Sequence, residues 1–336
     1  MIRLLILIIC MLYASCTGSS ERGIGKVSII TEGHFDDRGF NESALSGLRG
    51  VETNFKIEVV SKESTAAYYQ ADVESLKDNG SSLIWLMGFQ MSELAMPVAL
   101  SNEDVNYAVI DAIYDKDVLM PPNLAAITFR TEECAFLVGY IAARKTKTGK
   151  IGFVGGIKGD IVDSFRFGYE AGALYAKRDI KVVSEYAGSF SDVAIGATMA
   201  RNMYSGGADI IFAAAGLSGV GVIEAAKELG DGYYVIGVDQ DQSYLAPNNI
   251  ITSAVKDIRR AVMSFTSAYL RTGEFKGGGV TSYGLREGFV GHIRNPKMIP
   301  SALEYELNII KEKIIGGDIK VPAHEESYVN FAISFL

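Results

Sequence analysis

From Lys26 onward two kinds of segment alternate, and no other feature of the 336 residues restricts the fold as much. Short runs rich in Val, Ile and aromatic residues, such as KVSIIT, SLIWLMG and ADIIFAAA, are each followed by a longer stretch whose apolar residues recur at helical spacing. A strand repeats every two residues and a helix about every 3.6, so the alternation reads as successive βα units, which build mostly parallel sheets covered by helices. Strands are expected at 26–31, 56–60, 82–88, 106–112, 124–129, 150–156, 180–186, 208–215, 233–239 and 250–256. Helices are expected near 42–53, 65–79, 92–101, 132–147, 161–177, 192–205, 218–230 and 258–272, several opening on Ser, Thr or Asp and closing at Gly or Asn.

Ten strands are more than one core holds comfortably, and the pattern restarts at GKIGFVGG after a long helix. The expected architecture is therefore α/β, with two doubly wound parallel-sheet lobes joined by a hinge. Lobe one takes residues 26–131 and about 257–284. Lobe two takes 132–251 and about 285–336.

The start, MIRLLILIICMLYASC, carries one charge, an apolar stretch too short to span about 30 Å of hydrocarbon, and small residues before Cys16. It reads as an export signal over 1–15, with 16–25 as a linker. LYASC is similar to a bacterial lipobox, so Cys16 is the expected lipidation site and membrane anchor. Ordinary cleavage and release is the alternative. The other cysteine left after cleavage, Cys134, sits in EECAFLVGYIAA on an apolar helical face and reads as a core thiol; no disulfide framework is expected.

A net charge of −8, which becomes −8 − 1 = −9 without Arg3, argues against a nucleic-acid partner. His34, His292 and His324 are scattered, so neither a metal site nor a His-based triad is expected. G-x-S-x-G, Walker and dinucleotide fingerprints are missing as well, which leaves no sign of an enzyme or a resident cofactor.

Ligands of open α/β sheets bind beyond the carboxyl ends of the strands. Those ends hold Phe35, Phe165 and Phe190 together with Asp37, Asn41, Asp111, Asp163, Asp239 and Lys256. Gly216, in AGLSGVG, either presents N–H groups to a ligand or lets a helix pack closely on a strand. Rings suit a flat ligand, carboxylates suit vicinal hydroxyls, and several acids against one Lys disfavour a phosphate. The combination points to a nucleoside. Capping a helix is the competing role for Asp37 and Asp163, and the expected one for Asp192.

DDRGFN, FRTEECAFLVGYIAA, KIGFVGGIKG, FRFGYEAGA, DIIFAAAGLSGVGVIEAAKELG, IGVDQDQSYLAPNN and TSAVK together resemble the basic membrane protein (Bmp) family, spirochaetal lipoproteins related to the purine nucleoside receptor PnrA. The resemblance implies a type I periplasmic-binding-protein fold and a lipoprotein that passes purine nucleosides to the permease of an ABC transporter. It also implies that Phe35 and Phe190 sandwich the base, that Asp37 and Asn41 read its edge, and that Asp111, Asp239 and Lys256 hold the ribose. Phe40 is expected to pack in the core. Arg38-Gly39 replaces the commoner Lys-Ser of the family motif, which leaves the base preference open. A sugar ligand in the same fold, and a surface adhesin for host matrix proteins, are the alternatives.

Overall fold

The computed structural model describes residues 25–335 except 113 and 116. The expected signal and Cys16 lie outside the described residues.

Lobe one is built on a six-stranded sheet. Its strands are β1 (Lys26–Glu32), β2 (Glu58–Ser64), β3 (Leu83–Met87), β4 (Asn106–Ile110), β5 (Leu124–Phe129) and, from late in the chain, β11 (Gly279–Tyr283). They are parallel, in the order β11-β5-β4-β3-β1-β2. Helices α1 (Phe40–Phe55), α2 (Tyr69–Asp78), α3 (Ser92–Ser101) and the returning α8 (Ile258–Thr272) belong to it. The fully buried Trp85 of β3 donates through Nε1 to Thr266 Oγ1 of α8 at 3.0 Å, which fastens the returning helix to this sheet.

Lobe two repeats the plan with β6 (Lys150–Gly155), β7 (Lys181–Tyr186), β8 (Ile210–Ala214), β9 (Tyr234–Asp239), β10 (Ile250–Lys256) and an antiparallel edge strand β12 (Val290–His292), in the order β12-β10-β9-β8-β6-β7. Its helices are α4 (Thr131–Lys145), α5 (Asp160–Ala176), α6 (Val193–Ser205), α7 (Gly216–Leu229), α9 (Ser301–Gly316) and α10 (Glu325–Ile333). The α4–α5 contact is backbone on backbone. A Cβ on Gly139, Gly168 or Gly172 would lie 2.0–2.4 Å from a carbonyl of the facing helix. Cys134 is buried in α4 and burial pushes its thiol pKa up, which leaves an inert core group.

All ten expected strands are present. Missed were β11, whose residues are mostly exposed, and β12, only three residues long, together with α9 and α10. Two edge strands with little apolar content give period counting nothing to detect. Helix α2 starts at Tyr69 rather than near residue 65, because Thr65–Tyr68 closes a turn through the Tyr68 N–H and the Thr65 carbonyl at 2.8 Å. Strand β10 stays in the second sheet through Lys256, beyond the expected boundary at 251.

Three crossovers join the lobes, after β5, after β10 and between β11 and β12. They are tied side by side: Arg130 N–H donates to the Tyr283 carbonyl and Asp257 N–H to the Phe289 carbonyl, both at 2.7 Å. The Arg130 guanidinium reaches Glu133 at 2.8 Å and Glu287 at 2.5 Å. The carboxyl ends of the two parallel sheets face each other next to these crossovers.

Candidate ligand-binding cleft

Between the sheet ends lies a cavity of about 250 Å³, just below the usual size range of small-molecule sites. Its hinge-side end is polar. Asp111 follows β4 directly and Asp239 closes β9, and both adopt left-handed backbone (φ 64° and 66°), which Asp tolerates better than most residues. Lys256 closes β10. Its ammonium, in a side chain 2% exposed, donates to Asp111 Oδ2 and lies 4.7 Å from the Phe40 ring centre and 5.2 Å from that of Phe129.

That ion pair joins the lobes and leaves two acceptors without protein donors. Asp111 Oδ1 is buried with no hydrogen-bond partner, and no donor among the described residues reaches the Asp239 carboxylate. Burial raises the Asp239 pKa to about 7, against the lowering effect of Lys256 and with Asp37 and Asp111 adding to the rise. A buried polar atom left unpaired is costly, so this end is shaped for hydroxyl or amine donors from a ligand.

The far end is aromatic. Phe190, in the loop after β7, lies so close over Gly156 that a Cβ there would meet its ring at 2.2 Å. Gly216 has φ 56°, and a Cβ on it would sit 2.8 Å from the Phe190 carbonyl, which accepts from Leu217 N–H at 2.8 Å. The glycine therefore seats the Phe190 loop against the start of α7, and it also lines the cavity. Phe89, in the turn after β3, meets Phe190 edge-on with ring centres 6.3 Å apart. Phe165 lines the same end and rests edge-on against Phe212 at 6.0 Å.

Asp37 and Asn41 are on the wall, but their polar atoms are largely committed to the loop. Asp37 accepts backbone N–H groups from Gly39 (3.0 Å), Asn41 (2.8 Å) and Glu42 (3.1 Å), so it caps α1. Burial raises its pKa while those three donors oppose the rise. Asn41 donates to the carbonyls of Glu32 (3.3 Å) and His34 (3.1 Å) and accepts from Thr31 Oγ1 at 2.5 Å.

Phe35 and Asp163 are not on the wall. Glu63 receives Phe35 N–H and His34 Nδ1, both at 2.9 Å, which pins this turn toward β2 and leaves the half-buried Phe35 ring packed against the core. Phe40 lines the cavity instead. Asp163 accepts from the Tyr186 hydroxyl, while its helix neighbours Ile161, Val162 and Phe165 face the cleft. Asp192 caps α6, accepting from Ile195 N–H at 3.0 Å. Phe40, Phe89 and Gln90 were missed as wall residues, although GFQ stands directly after a strand end. Among the described residues no group of three metal-ligating side chains is gathered.

Residues 24–325 match the sequence profile of the Bmp family, described as ABC transporter substrate-binding protein PnrA-like. The chain belongs to this family. It is 56% identical over 330 residues to Basic membrane protein A2 of Borrelia garinii subsp. bavariensis, covering 98% of each chain. It is 54% identical over 337 residues to Basic membrane protein A of Borreliella burgdorferi, covering 100% of this chain and 99% of the other. Among solved structures, a solute-binding protein of an ABC transporter system from Aeropyrum pernix K1 superposes with a TM-score of 0.84 at 27% identity, covering 93% of this chain and 98% of that one. The Bmp chain thus has the two-lobed periplasmic-binding-protein fold, and its family is one of ABC transporter substrate-binding proteins.

Proposed function

We propose that this Bmp-family protein captures a purine nucleoside between its lobes and delivers it to the permease of an ABC transporter. The observation that carries the reading is the polarity of the cavity along its length. Two buried carboxyl groups, Asp111 with one oxygen unpaired and Asp239 with no protein donor, stand with one lysine at the hinge end, and three aromatic rings stand at the other. The carboxylates accept the ribose hydroxyls, as an acidic residue does in dinucleotide folds, and the base lies against Phe190 with Phe89 and Phe165 around it. Phosphorylated nucleosides are disfavoured, because Asp37, Asp111 and Asp239 face a single lysine that is already paired.

Contacts between the lobes explain retention. Gln242 Nε2 donates to the Arg38 carbonyl at 2.8 Å and Gln240 Nε2 to Glu42 Oε2 at 3.1 Å, from lobe two to lobe one. These bonds and the Asp111–Lys256 pair form only when the lobes meet, so ligand binding shifts an open form toward this one. For about 19 heavy atoms at roughly 0.5 kcal/mol each, the expected Kd is on the order of 0.1 μM. A lipidated Cys16 holds the protein at a membrane outside the cytoplasm, and no chemical step is assigned to the cleft.

The test uses the soluble chain that begins after Cys16. Mass spectrometry of small molecules released on unfolding, with calorimetric titration of adenosine, guanosine, inosine and uridine, is expected to find a tight purine nucleoside. Folded protein that binds none of the four overturns the proposal.

A further inference from the structure

Resting on the nucleoside reading, we infer that Gln90 reads the purine edge and that its amide lets one site accept both 6-amino and 6-oxo purines. The sheet order gives the cavity a direction. Asp111 follows β4, and Asp239 and Lys256 close β9 and β10, beside the crossovers, whereas Gln90 follows β3, one strand farther out. With the ribose held at the hinge end, the base extends toward Phe89 and Phe190, next to Gln90.

Most other polar side chains on this part of the wall have protein partners; Glu32, at the end of β1, also lines the cavity and makes no side-chain hydrogen bond among the described residues, but a carboxylate can only accept. Asp37 and Asn41 hold the β1–α1 loop, His34 is paired with Glu63, and Ser189 and Ser191 bond to each other, with Oγ atoms 3.3 Å apart. Among the described residues Gln90 has no side-chain hydrogen bond, and it lines the cavity half-buried. Its amide lies against Gly88. That residue has φ 94°, a backbone that favours glycine, and Gln90 Oε1 lies 2.8 Å from where a Cβ on it would stand, so the amide lies over the end of β3 in space that the glycine leaves open.

An amide carries an acceptor oxygen and a donor nitrogen that exchange places on a half-turn of its last torsion. A 6-aminopurine offers a donor beside an acceptor at its N6/N1 edge, and a 6-oxopurine offers the reverse order. The same Gln pairs with either by turning over. A carboxylate, which only accepts, or an ammonium, which only donates, would leave one group of either edge unpaired, a loss that a hydrogen-bonding pocket penalises strongly.

The experiment compares adenosine, inosine and purine riboside, which lacks the 6-substituent, on wild type and Gln90→Leu by calorimetry. Wild type is expected to bind adenosine and inosine at least about tenfold more tightly than purine riboside, and Gln90→Leu is expected to reduce that preference to about threefold or less. If Gln90→Leu weakens all three equally, or keeps the preference, Gln90 does not read the base and the inference fails while the nucleoside reading stands. Wild type that binds none of the three overturns both. Gln90→Met, of similar length, replaces the Leu variant if that one does not fold, and the same preference ratio decides.

Discussion

Replacing Asp239 by Asn removes a buried charge whose cost can be followed by pH. Burial lifts this carboxyl from an ordinary 3.8 to about 7. Between pH 4 and 7 the folded protein therefore holds a proton that the unfolded chain releases, and ligand-free stability falls as pH rises through that window. Each tenfold change in proton affinity corresponds to about 1.4 kcal/mol, and the affinity of this carboxyl rises roughly a thousandfold on folding, which sets a ceiling near ~4 kcal/mol. Water in the cavity reduces this, and about 2 to 4 kcal/mol is expected. Several surface carboxylates titrate in the opposite sense, among them the exposed Glu63 and the half-buried Glu74, which are held low by hydrogen bonds and cationic partners. The difference between variant and wild type cancels them. Urea unfolding of both ligand-free proteins across pH 4 to 8 should show Asp239→Asn gaining on wild type as pH rises, with the gain levelling off above about pH 7. A difference that is flat, or that shrinks with rising pH, would refute the account of Asp239 as a buried acid kept near neutrality. The same variant loses an acceptor for a ligand hydroxyl, so nucleoside affinity should drop by roughly 10- to 100-fold even as the empty protein becomes more stable.

Two further predictions concern the rings and the ion pair. Phe190→Ala should weaken nucleoside binding by at least about tenfold, while Phe35→Ala, a residue off the cavity wall, should change it by no more than about threefold; titration calorimetry separates the two. Lys256→Met leaves the buried Asp111 charge without its cation and should destabilise the fold by about 3 to 5 kcal/mol, whereas Asp111→Leu combined with Lys256→Met should recover much of that stability in thermal melts without restoring binding.

The fold was legible because its signal is local. Alternating β-branched runs and amphipathic segments reveal βα units, and all ten expected strands appear where the pattern places them, the edge strands β2 and β7 included. Strands β11 and β12 did not, because GVTSY and VGH are short segments held by backbone pairing and carry no apolar run. Asp111, Asp239 and Lys256 were legible for a related reason: each stands immediately after a buried run, and a parallel sheet sends every strand end to the same rim.

Side-chain direction within the loops was not legible. Arg38 has φ 59°, so the chain reverses its turn inside DDRGFN and counting faces along the strand no longer says which ring points inward. Phe35 consequently leaves the cavity, Phe40 enters it, and Asp37 and Asn41 turn their polar atoms to the loop they stabilise. By itself, then, the sequence determined the two α/β lobes, the rim on which a ligand site must lie, and the residue types gathered there, since all three follow from short-range periodicity. Only the tertiary structure decided that a carboxylate of one lobe meets a lysine of the other as a buried pair, and which groups remain unpaired for a ligand. Those outcomes depend on contacts between residues as far apart as Asp111 and Lys256, which no local pattern encodes.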